Sequence, residues 1–375
     1  MAGSFFSRLF GCFANGSGSD DNPITSIQRH QGNRKYNNQW EKKLARHLYG
    51  QYSMALVQAN IRNEDRFQLE SGPLSNVPNG PTGVFVGIYD GHGGETCSQF
   101  ILDHLFNDLK NIITHHHSQV SPYVIQQAYL RTENNFMGFV RRNWERKPKL
   151  ATVGSCCLTG VVHGNVLYVA NAGDSRAVLA RWADGDEQPV VHQLSIDHNA
   201  NNADRREELQ LEQHDDPVLF SYVHGSFRVR GRLQVTRAIG DAYLKSNEFN
   251  RPPLEARYRQ QQPIVRPILK SEPTILTYDL EADDKFVIFG SDGLWEEVTN
   301  EEAVSVVKAS PRSGAAGALL KEALVKASHR HNMQYQQLID LPLFNKRSHH
   351  DDISIVILFF DHLPARASNS PNIGC

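Results

Sequence analysis

Hydrophobic runs that stop at an aspartate in a glycine-rich turn are the feature that most limits the fold of this chain. The run VFVGIY ends at Asp90, and the run FVIFGS ends at Asp292. Near the end of the chain the order is reversed, because Asp351 and Asp352 precede the run ISIVIL. Such runs predict buried β-strands. Carboxylates at strand ends stand on rigid backbone and still reach solvent, as a site for a hard divalent cation requires.

The order of the predicted elements favours an α+β domain. Strand patterns come in runs, whereas helical patterns occupy two blocks at about residues 95–145 and 300–337, before a last strand at 353–360. This grouping argues against strict alternation of strand and helix and predicts a layered domain. We place that single domain at residues 45–361, with a polar, irregular excursion inserted at 199–230.

Composition limits the classes of function. A chain of 375 residues with 40% hydrophobic content can bury one large core. Its net charge of −2 gives no basic footprint for nucleic acid. The five cysteines contain no Cys-x-x-Cys pair, so neither a disulfide framework nor a zinc site is predicted. A reducing intracellular compartment, the cytoplasm or the nucleus, fits this pattern.

The two ends of the chain carry weak signals. Residues 1–40 are interpreted as a variable, flexible leader, and residues 362–375 as a loose tail. Within the leader, the segment FFSRLFGCF is too short to span a bilayer. A weak interfacial anchor, helped by acylation of Cys12, is the alternative interpretation, and it would give peripheral association with the plasma membrane.

Three strand-end carboxylates suggest a particular chemistry. Asp90, Asp292 and Asp351 together could hold two Mg²⁺ or Mn²⁺ ions, which accept carboxylate, carbonyl and water oxygens. A water shared by such ions loses a proton near neutral pH and can attack phosphorus in line. Glycine at Gly91 lets the backbone approach a metal closely. A lone Asp-Gly pair is more often a simple turn, so turn geometry remains the alternative at this point.

The ordered set of motifs is far more specific than any single one. In wording and order the chain resembles the type 2C metal-dependent serine/threonine protein phosphatases over roughly residues 52–361. The matching segments are NED at 63–65, YDGHGG at 89–94, AGDSRAV at 172–178, DH at 197–198, GRLQVTRAIGD at 231–241, SDGLW at 291–295 and DDIS at 351–354. The resemblance implies a central β-sandwich of two sheets flanked by pairs of helices, an αββα arrangement with the metals at one end between the sheets.

The resemblance also implies metal ligands. Asp90 would bridge both ions, and the backbone carbonyl of Gly91 would bind one of them. Asp292 and Asp351 would bind the other. Asp174 matches the position of a weaker third ion, although a turn cap that satisfies backbone amides explains it equally well.

Two further residues are implied in catalysis. Glu64 would act through metal-bound water, with Asp65 beside it as a supporting carboxylate. His92 matches the proposed general acid that protonates the leaving serine or threonine oxygen, a task suited to a group that titrates near neutrality. A histidine that merely packs the glycine turn is the alternative. Asp241 is interpreted as structural.

Two positions near the predicted ligands, Asp352 and Asn60, give further information: the first has an expected role, and the second departs from the family pattern. Side chains alternate along a strand, so only one residue of the pair at 351–352 can face the site, and Asp352 is expected to bond backbone instead. Many relatives carry a phosphate-binding arginine four residues before the glutamate, where this chain has Asn60. The sequence offers Arg62 or Arg66 as substitutes, and the alternative is that metal-bound waters carry more of the phosphate binding.

Finer wording, such as SMALVQAN at 53–60 and DAYLK at 241–245, resembles the plant subgroup called clade D. That resemblance implies phosphoprotein substrates, among them the plasma-membrane proton pump, inhibition by small auxin-induced proteins, and a monomer. Two other classes of function stay open from the residues alone. One is a catalytically inactive fold used as a binding module, and the other is a two-metal phosphohydrolase that acts on small molecules.

Overall fold

The computed structural model describes residues 39–116, 119–214 and 216–361. Most of the predicted leader 1–40, including Cys12, and the whole predicted tail 362–375 lie outside these ranges.

The described chain forms strands that are paired antiparallel throughout the named sheets. In chain order they are β1 (Gln39–His47), β2 (Gly50–Val57), β3 (Arg66–Pro73), β4 (Thr82–Tyr89), β5 (Gly91–His92), β6 (Gly154–Ser155), β7 (Cys157–His163), β8 (Val166–Ala172), β9 (Arg176–Arg181), β10 (Val190–Gln193), β11 (Phe220–Val223), β12 (Ser226–Val229), β13 (Ile239–Gly240), β14 (Thr274–Asp279), β15 (Asp284–Gly290) and β16 (Ile353–Phe360).

The helices fall mainly into two blocks, as the sequence pattern predicts. They are α1 (Thr96–His115), α2 (Pro122–Asn143), α3 (Ala203–Glu212), α4 (Asp292–Trp295), α5 (Asn300–Ala309), α6 (Ala315–Arg330), α7 (Tyr335–Ile339) and α8 (Leu343–Lys346). Local signals set their starts. Ser121 caps α2 by accepting from the Val124 amide, and Thr299 with Glu302 forms a capping box on α5.

Two sheets form the centre of the molecule. The first has six strands in the order β1-β2-β16-β15-β9-β10, and the second has five in the order β14-β8-β7-β4-β3. Alternate side chains of the two sheets meet in one buried cluster that includes Met54, Val86, Leu158 and Phe289. The sandwich therefore has its own dry core between the sheets.

Helices cover the outer face of each sheet. A cluster that includes Ile101 and Phe136 packs α1 and α2 on the five-stranded sheet. A separate cluster that includes Val304 and Leu320 packs α5 and α6 on the six-stranded sheet. The four-layer αββα arrangement expected from the resemblance is confirmed.

Two regions differ from the sequence expectation. The first sheet begins at Gln39, because β1 pairs with β2 from Gln39↔Val57 to His47↔Gly50. The segment is rich in charge and reads as a solvated basic run, but Trp40 stacks on Phe67 with the ring centroids 5.3 Å apart. The predicted irregular excursion 199–230 contains the helix α3 and the hairpin β11–β12. Its low apolar content hides both elements, since α3 buries only Leu209.

Within the described ranges, every helix is too short or too polar to cross a lipid bilayer.

Candidate metal centre

Both sheets place carboxylates at one end of the sandwich. In the six-stranded sheet β15 ends where its antiparallel partner β16 begins, so Asp292 and Asp351 lie at adjacent strand ends. In the five-stranded sheet β4 ends at Tyr89, and Asp90 follows. The turn from β8 to β9 crosses between the sheets and carries Asp174. The charges of Asp292, Asp351 and Asp174 all act on Asp90, so these four carboxylates share one centre.

Asp90 and Asp292 form the middle of this centre. Desolvation by the surrounding protein, and then the negative charge of Asp292, raise the pKa of Asp90 well above its usual range. Desolvation and the charge of Asp174 do the same to the pKa of Asp292. The Oδ1 atom of Asp292 is buried and has no hydrogen-bond partner in the described part of the chain. The protein thus gathers negative charge here without neutralising it.

Asp351 and Asp352 take different roles, as strand alternation predicts. Asp352 is buried and bonds backbone: Oδ1 accepts from the amides of Ala59 at 2.6 Å and Asn60 at 2.9 Å, and Oδ2 accepts from the Glu64 amide at 2.9 Å. The expected backbone role of Asp352 is confirmed. Burial raises the pKa of Asp351 to about 7. The amide side chain of Asn60 donates to Asp351 Oδ1 at 3.3 Å, so Asn60 supports this carboxylate.

The segment that joins β2 to β3 brings two more acids. Desolvation, followed by the charge of Asp352, raises the pKa of Glu64. Asp65 is only 1% exposed. Desolvation and the charge of Asp352 raise its pKa well above the usual range, although hydrogen bonds from the hydroxyls of Ser291 and Ser354 lower it in part. Asp65 therefore belongs to the centre as a buried acid.

Gly91 has no space for a side chain. A Cβ at this position would lie 2.6 Å from the carbonyl oxygen of Glu64 and 2.8 Å from Ser98 Oγ. The absence of a side chain at Gly91 lets strand β5 lie against the segment that carries Glu64, as the close backbone approach predicted at Gly91 requires.

Asp174 is held from two sides. Its Oδ1 accepts from Cys156 Sγ at 3.2 Å, and its Oδ2 accepts from Asn199 Nδ2 at 2.7 Å. One ligand atom from each of Asp90, Cys156 and Asp174 lies within 4.8 Å of the others, a spacing at which they could hold an ion. Cys156 is buried.

His92 pairs with Asp241, an acid for which the sequence predicts a structural role. His92 Nε2 lies 2.7 Å from Oδ2 of Asp241, and the Asp241 side chain is fully buried. Burial lowers the pKa of His92, but the charge and hydrogen bond of Asp241 outweigh it, and the pKa is raised. A Cβ on Gly154 would lie 2.2 Å from Asp241 Oδ2 and 2.4 Å from His92 Nε2, so glycine makes room for the pair.

The contact between His92 and Asp241 could not be inferred from spacing, because the residues are 149 positions apart. A usable signal was nevertheless present. Asp241 directly follows a glycine and is the one acidic residue of the motif at 231–241. In the structure its backbone has φ 51°. A non-glycine residue in the left-handed region is uncommon and often marks a functional site.

The histidines beside Asp351 do not join the carboxylates as ligands. His350 is buried, its Nδ1 lies 2.7 Å from the carbonyl oxygen of Asp351, and burial lowers its pKa. The acidic side chains therefore make the centre an oxygen-donor site, apart from the thiol of Cys156.

The donor set fits hard divalent cations. Carboxylate oxygens prefer Mg²⁺ and Mn²⁺, and several acids with raised pKa values in one place need a cation to become ionised together. The buried, unpartnered Oδ1 atom of Asp292 is an oxygen that such a cation would satisfy.

Comparisons with known proteins agree with this site. A family model described as Protein phosphatase 2C matches residues 56–332. The chain is 47% identical over 322 residues to "Probable protein phosphatase 2C 46" of Arabidopsis thaliana, with 86% of this chain and 85% of that protein covered. It is 45% identical over 322 residues to "Probable protein phosphatase 2C 72" of Oryza sativa subsp. japonica, covering 86% and 82%.

Solved structures share the fold. A serine-threonine phosphatase 2C from Toxoplasma gondii superposes with a TM-score of 0.63 at 16% identity, covering 86% of this chain and 99% of that one. A C. elegans sex determining protein superposes with a TM-score of 0.58 at 18% identity, covering 82% and 64%. At these identities the likeness supports the architecture alone.

Proposed function

This chain belongs to the protein phosphatase 2C family, and from that premise we propose how its own residues act in the reaction. The protein is a metal-dependent serine/threonine protein phosphatase that uses Mg²⁺ or Mn²⁺. The observation that carries the assignment of residues is the gathering of Asp90, Asp292, Asp351 and Asp174 at one end of the sandwich, where the charges of the other three all act on Asp90.

We assign the metal ligands on that basis. Asp90, which directly follows β4, would hold both ions, and the Gly91 carbonyl would be a further ligand to one of them. Asp292 and Asp351 would hold the other, and Asp174 would hold a weaker third ion. When bound, the ions lower the pKa of a shared water and neutralise charge that develops on the phosphoryl oxygens. A hydrogen bond from the backbone amide of Glu64 to Asp352 fixes the position of Glu64, which would orient water at the edge of the centre.

His92 is the proposed general acid. Loss of a serine or threonine alkoxide from phosphorus requires a proton, and a protonated imidazole can supply it. Asp241 holds His92 through Nε2 and favours its charged form, which leaves the other ring nitrogen to give up the proton. Asp241 is therefore a positioning residue for His92.

The first experiment tests the reaction itself. A phosphothreonine peptide should be hydrolysed by purified protein with added Mn²⁺ or Mg²⁺ and should not be hydrolysed with a chelator. Comparison with a nucleotide substrate separates a protein phosphatase from a phosphohydrolase of small molecules. Metal-replete protein that releases no phosphate from several phosphopeptides would support the inactive binding module instead.

A second experiment tests the acid. Asp241→Asn should lower kcat on the phosphothreonine peptide by about 10²-fold, the lower end of the usual range for a positioned acid. On p-nitrophenyl phosphate the loss should be much smaller, because nitrophenolate leaves without a proton. Equal losses on both substrates would contradict the assignment of His92.

Substrates, partners and location follow from the subgroup resemblance. We propose that phosphothreonine near the C-terminus of the plasma-membrane proton pump is a substrate, that small auxin-induced proteins inhibit the enzyme, and that it acts as a monomer in the cytoplasm or nucleus. The three cysteines among the described residues are buried thiols, which supports a reducing compartment. Turnover of a pump-derived phosphopeptide that is unchanged by such an inhibitor would contradict the regulatory proposal.

We also propose that the FFSRLFGCF segment gives weak peripheral attachment to the plasma membrane. Full-length protein and a variant with residues 5–13 replaced by glycine and serine should differ in sedimentation with anionic vesicles. Equal sedimentation would contradict the attachment.

A further inference from the structure

The acidic centre must accept a phosphoryl group that is itself negative. Metal ions offset part of this repulsion, but the side chains around the site contribute charge of the wrong sign. A positively charged side chain that faces the centre would bind the substrate phosphate directly. Asn60 carries no charge and bonds Asp351, so the position that the family pattern suggests does not supply it.

Arg62 and Arg66, which the sequence suggests as substitutes for the phosphate-binding arginine, bind other groups. Arg66 donates to the backbone carbonyls of Asn63 at 2.6 Å and Asp65 at 2.8 Å, and its remaining nitrogens bond Gln99 and Glu95. These bonds use four of the five guanidinium N–H groups, and two of them hold the segment before β3. Arg62 is 78% exposed and lies 3.6 Å from Glu95, and its charge is not among the largest influences on Asp90 or Asp292.

Arg347 is placed differently. It directly follows α8, four residues before Asp351, and its guanidinium forms an ion pair with Asp351 Oδ2. The side chain is 55% exposed, so it stands at the mouth of the centre and is accessible to a ligand. One carboxylate can accept from at most two of the five guanidinium N–H groups, so the others remain available for a second acceptor.

The charge of Arg347 reaches across the centre. Partial burial lowers its pKa, but Asp351, Asp292 and Asp90 outweigh that effect and raise it. Desolvation raises the pKa values of Glu64 and Glu296, and the charge of Arg347 opposes part of that rise. Arg347 therefore faces acids contributed by four separate connections of the sandwich.

We propose that Arg347 binds the phosphoryl oxygens of the substrate and takes the role that Asn60 cannot. A guanidinium group matches a phosphate in two parallel hydrogen bonds, which gives orientation as well as attraction. The ion pair with Asp351 holds the arginine at the site before substrate arrives. Because Arg347 is 55% exposed, solvent weakens its ion pair with Asp351 and its remaining N–H groups can reach a ligand. The proposal rests on the phosphatase function and adds the residue that recognises the phosphate.

Inorganic phosphate is the probe, since it carries the recognised group without a peptide. Calorimetric titration of phosphate into the Mn²⁺-loaded protein should give a Kd that rises about 10–100-fold in Arg347→Gln, the loss expected for a hydrogen bond to a charged group. Arg347→Lys should recover only part of this affinity, because lysine keeps the positive charge but cannot form the two parallel hydrogen bonds of a guanidinium group. Arg62→Gln is the matched control and should leave the Kd unchanged.

Steady-state kinetics separate phosphate binding from a structural effect. In Arg347→Gln the KM for a phosphothreonine peptide and the inhibition constant of phosphate should rise together, with a smaller change in kcat. The Mn²⁺ concentration that half-saturates thermal stabilisation should stay within about threefold of wild type, because Asp351 remains in place.

The outcomes are distinguishable. An unchanged phosphate Kd in Arg347→Gln overturns the proposal, as does a larger rise in Arg62→Gln. A tenfold change in Mn²⁺ affinity with no separate change in phosphate affinity assigns Arg347 to the support of Asp351 and also overturns it. If wild type shows no turnover, the phosphatase function fails, but the calorimetric comparison still decides whether Arg347 binds phosphate.

Discussion

Two clusters of buried charge in this molecule solve the problem of burial in opposite ways. Glu133 on α2 pairs with Lys245 at 2.8 Å, and both side chains are less than 10% exposed. The second oxygen of Glu133 accepts from the Gly240 amide at 2.8 Å, and Lys245 also donates to the Ala238 carbonyl at 2.7 Å. Each charge has a partner of opposite sign and a further hydrogen bond.

The metal centre has the reverse composition. Desolvation and the charges of neighbouring carboxylates raise the pKa values of Asp65, Asp90 and Asp292, and in the described part of the chain one buried oxygen of Asp292 has no hydrogen-bond partner. Burial of unpaired charge costs several kcal/mol per group, so a fold keeps it only where a ligand compensates. The comparison teaches that a satisfied buried pair maintains the fold and that an unsatisfied cluster marks the reaction site.

The two clusters are also connected along the chain. Glu133 and Lys245 fix the segment 238–240, and the next residue is Asp241, which holds His92. The satisfied cluster thus anchors the backbone that positions the proposed acid.

The largest effect is expected at the centre. Asp90→Asn should reduce metal-dependent turnover of a phosphothreonine peptide by on the order of 10⁴-fold, as when a catalytic aspartate is replaced by its amide elsewhere. This corresponds to about 5 kcal/mol of transition-state stabilisation. Steady-state kinetics at saturating Mn²⁺ measure it.

The control for Asp90→Asn is its folding. The substitution removes one of several repelling charges, so the metal-free variant should be at least as stable as metal-free wild type in urea. A variant that is both inactive and strongly destabilised would indicate that Asp90 maintains the fold, and the contrast with Glu133 would be lost.

The second effect belongs to the satisfied cluster. Lys245→Met leaves Glu133 buried without its counter-charge and should lower the free energy of unfolding by about 3–5 kcal/mol. Urea denaturation measures this change. The folded variant should keep the metal requirement of wild type, and a loss of metal dependence would show that the two clusters are not separate in function.

How much of this could be predicted from sequence depends on the range of each contact. Asp90, Asp292 and Asp351 were recognisable because each stands at the end of an apolar run, and a strand's direction is a local property. The backbone role of Asp352 followed from the alternation of side chains along a strand. These inferences need only the residue and its immediate neighbours.

Contacts across the chain were out of reach. The hydrogen bond between His92 and Asp241 depends on how distant segments of the chain pack, and so does the electrostatic interaction between Arg347 and Asp90. The strand β1 was missed for a related reason, because its polar residues gain their place only by pairing with β2. Local pattern therefore predicted the carboxylates that the structure brings together, and only the packed structure provided the groups that surround them.

The third effect is the response to metal. Mg²⁺ or Mn²⁺ at about 100 times its Kd should stabilise wild type by about 2.7 kcal/mol, since the ion binds the folded state alone. Thermal unfolding with and without metal measures it. Lys245→Met should retain this increment although it starts from lower stability, and Asp292→Asn should lose most of it at the same concentration. An increment that survives in Asp292→Asn would place the ion elsewhere.

The smallest effect is the pH dependence of the metal-free protein. Burial raises the pKa of Asp351 to about 7, well above the ordinary value for an aspartate in an unfolded chain. Between these two values the folded state holds a proton that the unfolded state has released, so stability falls as pH rises through this window. For Asp351 alone, the loss between pH 5.5 and pH 7.5 should be about 2 kcal/mol, measured by urea denaturation in the presence of a chelator.

Asp351→Asn isolates this contribution. Buried histidines such as His198, whose pKa burial lowers to about 3, change stability with pH in the opposite direction, but they are common to both proteins and cancel in the difference. Wild type should lose more stability than the variant over this range without metal. With saturating Mn²⁺ the sign should reverse, because protons then compete with the ion for the same oxygens. Equal slopes in both proteins without metal would mean that Asp351 is already neutralised by Arg347, and the centre would resemble the satisfied cluster more closely than its other acids suggest.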